Sequence, residues 1–356
     1  MWLFGDSFDH YTDLAQKYNT LGPSGQAISS GTGRYGTSSV QFTTGNGRLL
    51  KGVTAGSPTA GAFLSMALRF VPTLGGRFGF ANLWDAVHNV GHVVFTDNPD
   101  GSVSAWRQTS NNGPLVSLAS AVALLGTTPA GLLTPGTYHS VELYASVHAS
   151  AGAVRVRVNG HEVLTLTGQN TLNPTTGGDK WTGWYVGLEN SYGTLDVDDV
   201  LIYDDYNNGD GVTDFLGDLT AECLVASGVG SNNQWTRNTG ATNVSCVDET
   251  PPDGDTTYVE DATVGHLDTY TIAPLARITD GIRCVQVVLT AKKTATGTRA
   301  IAGVVRRGTS NYPGPDQYLG TAYGLATAAF PTDPSTSTAW TAGGVAATEI
   351  GPRITV

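Results

Sequence analysis

YHSVELYASVHASAGAVRVRVNGHEVLTLT, residues 138–167, reads as three consecutive strands with no helix-period pattern between them. Val141, Leu143, Ala145 and Val147 fall on one face of the first strand, and Val154, Val156 and Val158 on one face of the second. That period of two is the mark of a sheet burying every other side chain. Asn159-Gly160 then supplies the two positive φ angles of a type I′ hairpin. A two-residue loop at that point sets Val158 opposite His161, Arg157 opposite Glu162 and Val156 opposite Val163. The stretch is the sheet core of a β-sandwich, and function has to be argued from sites placed on it.

The pattern extends outward in both directions. Leu64, Met66, Leu68 and Phe70 alternate along Phe63 to Phe70, and Arg77 to Trp84 continues the sheet. Val93 to Thr96 and Ser102 to Arg107 flank Asn98-Pro99-Asp100-Gly101, a turn whose proline presets φ and whose glycine permits the left-handed region. Ser39 to Phe42 and Arg48 to Lys51 read as edge strands in a Gly/Ser/Thr-rich N-terminal segment, while Leu115 to Leu125 fits either a short helix or a strand with its loop. Trp181 to Glu189 and Leu195 to Tyr203 complete a first domain over 1–205. The polar, glycine-bearing residues 206–213 form a linker, and 214–356 form a smaller β-sandwich domain with strands at Ala221 to Ala226, Asp268 to Ile272, Ile282 to Ala291, Arg299 to Arg306 and Thr348 to Val356. Ala339 to Gly343 has room for one helical turn.

Composition agrees with an all-β chain. Among 356 residues there are 46 Gly and 16 Pro, and 14% are charged, which favours short strands and tight turns. A net charge of -11, with no basic cluster larger than Lys292-Lys293 or Arg306-Arg307, repels phosphate backbones and excludes nucleic acid as a partner. No apolar run reaches the ~20 residues of a membrane span, and Met1 to Asp6 lacks the features of a secretory signal. Cys223, Cys246 and Cys284 form no disulfide framework, and spacing assigns no bridge among them.

The order of strands through Tyr203 resembles the laminin-G-like, concanavalin A-like jelly roll. Further motifs are similar to those of tailed-bacteriophage and prophage virion proteins. These are Ser7-Phe8-Asp9-His10-Tyr11, Asp214-Phe215-Leu216-Gly217-Asp218, Gln234-Trp235-Thr236, Val247-Asp248-Glu249, Asp253 to Val259, Asp333-Pro334 and Trp340-Thr341. That resemblance implies a non-enzymatic structural component of a virion, of tail-fibre or minor-tail type, assembled in the host cytoplasm. Its implied partners are other virion proteins of the tail or capsid and a host cell-surface glycan. A homo-oligomer is implied as well, a trimer if the chain belongs to a fibre, although no coiled-coil heptads accompany it. Capsid decoration is the competing location.

Each chemistry-bearing residue also has a plain structural role open to it. Retaining glycosidases of the concanavalin type set two carboxylates ~5 Å apart through Glu-x-Asp-x-x-Glu. None of Glu142, Glu162, Glu189, Glu222, Glu249, Glu260 and Glu349 stands in such a motif, which disfavours a polysaccharide-degrading enzyme and leaves no catalytic residue or cofactor to name. His88 and His92 share a four-residue spacing, but Gly91 and the strand pattern argue against the helix a metal pair needs. Asp204 to Gly211 lacks the ligand order of a calcium loop. Sugar rings stack on aromatic faces, so Trp84, Trp106, Trp181, Trp184, Tyr185 and Tyr192 are of interest, with core filling as the alternative role. The candidate glycan-binding surface is Trp181, Tyr185, Asn190 and Tyr192, joined by Asp196 and Asp198, which share a strand face suited to a cation or sugar hydroxyls unless it is simply solvated.

Overall fold

The computed structural model describes residues 1–43, 47–55, 57, 60–71, 78–110, 122–175, 178–188, 193–206, 212–278 and 281–356. The chain divides into two compact units, 1–8 with 13–221 and 9–12 with 222–356. Among the described residues no helix is long and apolar enough to cross a membrane.

The strands of the first unit are β1 (Trp2–Asp6), β2 (Thr20–Leu21), β3 (Gln26–Ser30), β4 (Ser38–Phe42), β5 (Gly47–Gly52), β6 (Ala62–Val71), β7 (Phe78–Asp85), β8 (Val90–Asp97), β9 (Val103–Gln108), β10 (Val122–Thr127), β11 (His139–Ser146), β12 (Gly152–Val158), β13 (His161–Gln169), β14 (Gly183–Leu188) and β15 (Thr194–Asp204). They form an eight-stranded sheet ordered β13-β12-β11-β6-β15-β4-β3, with β1 also on β15, and a seven-stranded sheet ordered β10-β9-β8-β7-β14-β5-β2. The chain crosses between the two sheets at β1–β2, β2–β3, β4–β5, β5–β6, β6–β7, β10–β11, β13–β14 and β14–β15, which is the winding of a jelly-roll β-sandwich.

The strand-turn-strand reading of 138–167 places the core. Asn159 and Gly160 have φ of 50° and 81°, as a type I′ turn requires. Val158 pairs with His161 and Arg157 with Glu162, but Val156 pairs with Leu164, because a bulge leaves Val163 as an extra residue on β13. Val141, Leu143, Ala145, Val154 and Val156 are fully buried with Leu64, Leu68, Leu195 and Val197 on the inner face of the eight-stranded sheet. Each of the valine and leucine side chains contributes about 1.5–3 kcal/mol through burial. The facing sheet supplies Phe80, Leu83, Val93 and Phe95, and Phe80 meets Phe70 edge-on at 6.3 Å.

In the first unit the structure refines three further expectations. Strands β4 and β5 are interior rather than edge strands, lying between β15 and β3 and between β14 and β2. The Leu115 to Leu125 segment contributes β10 from Val122 onward, and 111–121 lie outside the described residues. The third difference is the unit boundary, which follows Ala221 rather than residue 213. Phe215 stands edge-on to Phe63 at 5.4 Å, and the guanidinium groups of Arg155 and Arg157 cover its ring at 4.6 and 4.7 Å. Gly217 N–H donates to the Glu142 carboxylate at 2.8 Å, so this segment covers the outer face of the eight-stranded sheet. Of the linker at 206–213, residues 207–211 lie outside the described residues.

The second unit is a smaller β-sandwich. Its strands are β16 (Ala226–Asn233), β17 (Thr236–Arg237), β18 (Val259–Glu260), β19 (Asp268–Ile272), β20 (Val285–Ala291), β21 (Ala300–Arg307), β22 (Ser310–Pro313), β23 (Gln317–Tyr318), β24 (Gly324–Phe330) and β25 (Thr348–Ile354). A sheet ordered β16-β19-β25-β21-β22 packs on the β20–β24 pair around Val287, Val305, Ala328, Phe330, Trp340 and Val345. The helical turn is Ala342–Ala346, capped where Thr341 Oγ1 accepts from Gly344 N–H at 2.9 Å. Strand β16 begins at Ala226, where the expected strand at 221–226 ends.

Candidate functional site

Of the residues singled out by sequence, Trp181, Tyr185, Asp196 and Asp198 are buried. Trp181 is 2% exposed, and its indole N–H donates to the Ala60 carbonyl at 2.7 Å. Tyr185 is 5% exposed and stands edge-on to Trp84 at 4.8 Å, with Leu50 completing the cluster. Asn190 and Tyr192 lie outside the described residues. Asp196 is not on a solvated face: Arg69 Nε and Nη2 both donate to its Oδ2, at 3.0 and 2.7 Å, and Gln41 Nε2 donates to Oδ1 at 2.8 Å. Asp198 accepts from the backbone N–H groups of Arg34 and Asp199 at 2.9 and 2.8 Å. Both aspartates therefore act as buried anchors for β15, next to a bulge at which Asp199 takes φ of 53°.

The histidine pair is also separated by role. His88 Nδ1 meets Asp85 Oδ2 at 2.6 Å, whereas His92 Nε2 faces the Lys180 carbonyl at 2.9 Å and its Nδ1 accepts from Asn173 N–H. Burial lowers the His92 pKa. Among the described residues no group of three His, Cys, Asp or Glu is placed to hold a metal.

An open site lies elsewhere on the seven-stranded sheet. Directly paired residues share a face, and the pairings Leu50–Tyr185, Tyr185–Asn82, Asn82–Val94, Val94–Trp106 and Trp106–Leu124 run in one row across it. Leu50, Tyr185, Asn82 and Val94 are buried, Trp106 is half-buried, and Leu124 is 54% exposed. At this open end the next row, Thr96–Ser104–Thr127, joins the β8–β9 turn to form a shallow depression of about 380 Å³. Asn98, Pro99, Asp100, Ser102, Ser104, Trp106, Leu124 and Thr127 line it.

Its polar groups are pre-arranged. The Asn98 amide donates to Ser102 Oγ and Ser104 Oγ, both at 2.8 Å, and Ser104 Oγ meets Thr127 Oγ1 at 2.8 Å. Ser102 Oγ and N–H donate to Asp100 Oδ1 at 2.7 and 3.0 Å. Those two bonds hold the exposed Asp100 carboxyl below its ordinary pKa, so it is ionised at neutral pH. The indole N–H of Trp106 is fixed on Thr96 Oγ1 at 3.0 Å. The turn itself is pinned: Gly101 has φ of 77°, a Cβ there would stand 2.5 Å from the Leu133 carbonyl, and Gly101 O accepts from Leu132 and Leu133 N–H. An aromatic ring beside a file of oriented hydroxyls and one carboxylate suits a polyhydroxylated ligand with an apolar face.

No protein-family model and no curated protein matches the sequence. Solved structures similar to part of the chain include an alginate lyase from a Chlorella virus, at 8% identity over 53% of this chain and 93% of that one with a TM-score of 0.39. A carbohydrate esterase from the Shiga toxin-encoding bacteriophage phi24B is 12% identical over 56% of this chain and 98% of that one, with a TM-score of 0.35. The carbohydrate-binding module CBM66 of Bacillus subtilis is 9% identical over 46% and 86%, with a TM-score of 0.32.

Trp106 was among the aromatics visible in the sequence, but the hydroxyl file beside it was not recognised. The signal is in the alternation of Ser102 to Arg107. Val103 and Ala105 are core residues, so Ser102, Ser104 and Trp106 must share the opposite face, and a Ser-Ser-Trp face is not that of a core.

Proposed function

We propose that this chain is a glycan-recognition component of a tailed-phage virion, acting at the tail and by binding rather than by chemistry. The observation that carries the binding part is the Trp106 depression: an indole and an exposed leucine beside Asn98, Ser102, Ser104, Thr127 and Asp100. The virion part rests on the sequence motifs. Among the described lining residues Asp100 is the one carboxylate, whereas glycosidic cleavage calls for a pair.

A site of this size binds weakly. At ~0.3 kcal/mol per non-hydrogen atom, a hexose of about 12 such atoms yields roughly 4 kcal/mol, a Kd on the order of 1 mM. Several copies on one appendage would raise the avidity by about 10²–10⁴. A homo-oligomeric assembly fits that need.

The test is adsorption of the purified chain to host cells and to their extracted surface polysaccharides, with Trp106→Ala as the paired variant. Saturable binding lost in a folded Trp106→Ala protein supports the reading, and equal binding by both proteins sinks it. Antibody labelling of intact particles in the electron microscope tests the location. Label on the tail supports it, label on the head replaces it with capsid decoration, and unlabelled particles remove the virion role.

A further inference from the structure

The charge of the depression narrows the class of glycan, an inference that rests on the binding reading above. Its eight lining residues offer hydroxyls, one amide, one carboxylate, an indole and two aliphatic side chains, and none of them is Lys, Arg or His. From Gln108 to Val154 there is no Lys or Arg, a span that includes all of β10 and the loop pinning the turn. On β9 the one arginine, Arg107, pairs with Val93 and Ala123 and so points to the face opposite Trp106 and Ser104. Among the described lining residues the one fixed charge is negative: Asp100, ionised at neutral pH and bonded by Ser102. The chain as a whole adds to this with a net charge of -11.

These features act in opposite directions on neutral and acidic sugars. An ionised carboxylate accepts hydrogen bonds only, with room for about four, of which Ser102 supplies two. A pair of sugar hydroxyls can donate to the remainder, while the C–H face of the ring rests on Trp106 and Leu124. A uronate or sialate places a second negative charge within a few ångströms of Asp100, and the described lining residues hold no guanidinium or ammonium to offset it. At such a partly wet boundary this repulsion amounts to roughly tenfold in affinity. We propose that the Trp106 depression selects neutral hexose glycans and discriminates against glycans bearing uronic or sialic acids.

The experiment titrates the full-length chain with neutral gluco-, manno- and galacto-oligosaccharides and with uronate- and sialate-containing oligosaccharides of matched length. Binding is followed by calorimetry or by NMR at low and at physiological salt. Asp100→Asn and Trp106→Ala are measured beside the native protein, each checked for an unchanged thermal transition. The expected result is binding of at least one neutral series, roughly tenfold weaker or absent binding of acidic ones, and a gap that narrows at high salt and in Asp100→Asn. Trp106→Ala loses the neutral ligand as well. Acidic glycans bound as tightly as neutral ones would overturn this inference and leave glycan binding in place. A folded protein that binds no glycan of either kind, or binding that Trp106→Ala leaves untouched, would overturn the binding reading itself.

Discussion

The two ends of the row across the seven-stranded sheet share a fold, a face and a composition, yet they differ in what surrounds them. At one end Leu50, Tyr185 and Trp84 close on one another, and Asn82 is buried beside them over Gly91. A Cβ at Gly91 would lie 2.3 Å from Gln108 Oε1 and 2.4 Å from Asn82 Nδ2, so the glycine makes room for both amides. At the other end Trp106 is half-buried, Leu124 is 54% exposed, and hydroxyls take the place of rings. An aromatic side chain on a sandwich is thus core or platform according to what its neighbours in the next row are. Packing rings make it core, and short polar side chains leave it open.

The largest effect expected from breaking this contrast is at the closed end. Trp84→Ala removes a side chain that is 1% exposed and should cost the first unit about 3–5 kcal/mol, a fall in Tm of roughly 10 °C. Scanning calorimetry reads it, and the surviving folded fraction should still bind ligand at the far end of the row. Next is Asp196→Ala, which removes the carboxylate that Arg69 and Gln41 bond and leaves Arg69 with the Thr32 carbonyl as its acceptor. Because Arg69 is 27% exposed, water recovers part of the loss, and about 2 kcal/mol is expected in urea unfolding. Neither change is near the depression, so a drop in glycan affinity larger than the unfolded fraction explains would break the distinction between the two ends. Trp106→Ala should do the reverse, shifting Tm by no more than about 2–3 °C while abolishing ligand binding.

How much of this was legible in the sequence follows from which interactions are local. The hairpin at Asn159-Gly160 was readable because the turn chemistry and the alternation of Val154, Val156 and Val158 lie within a few residues of one another. The bulge at Val163 was not, since it depends on how Leu164 and Leu166 meet the next sheet, where Leu166 would crowd any Cβ at Gly126. The attachment of 214–221 to the first unit depends on Arg155 and Arg157, some 60 positions earlier in the chain, enclosing Phe215. The burial of Trp181 and Tyr185 was hidden for the same reason. Trp181 and Tyr185 look like a binding pair in sequence, and only the partners Ala60 and Trp84, brought by other strands, assign them to the core.

Titration offers the finest test, because each end of the row has a displaced group close by. At the open end Asp100 is held below its ordinary pKa by Ser102, so it keeps its charge down to acid pH, and discrimination against acidic glycans should be flat between about pH 8 and 5. Beside the closed end, Lys51 follows Leu50 on β5, its ammonium over the Phe4 ring at 4.5 Å and donating to the Lys17 carbonyl at 2.7 Å. Burial first, and the neighbouring Lys17 charge second, lower its pKa from 10.5 to about 8. In the unfolded chain the same lysine keeps its proton to higher pH, so between these values the unfolded state binds more protons and this group's contribution to stability rises with pH. Tyr18, Tyr144 and Tyr203 are displaced upward by burial and oppose the trend once unfolded tyrosines begin to ionise near 10.0, which confines the clean window to about pH 8–9.5. Urea midpoints for the native chain should therefore shift upward from about pH 7.5 to 9.5 relative to those of Lys51→Met, which has no such proton to release. Parallel curves for the two proteins would mean that Lys51 is solvated in solution, and that the face of β5 opposite Leu50 is less tightly shut than its packing implies.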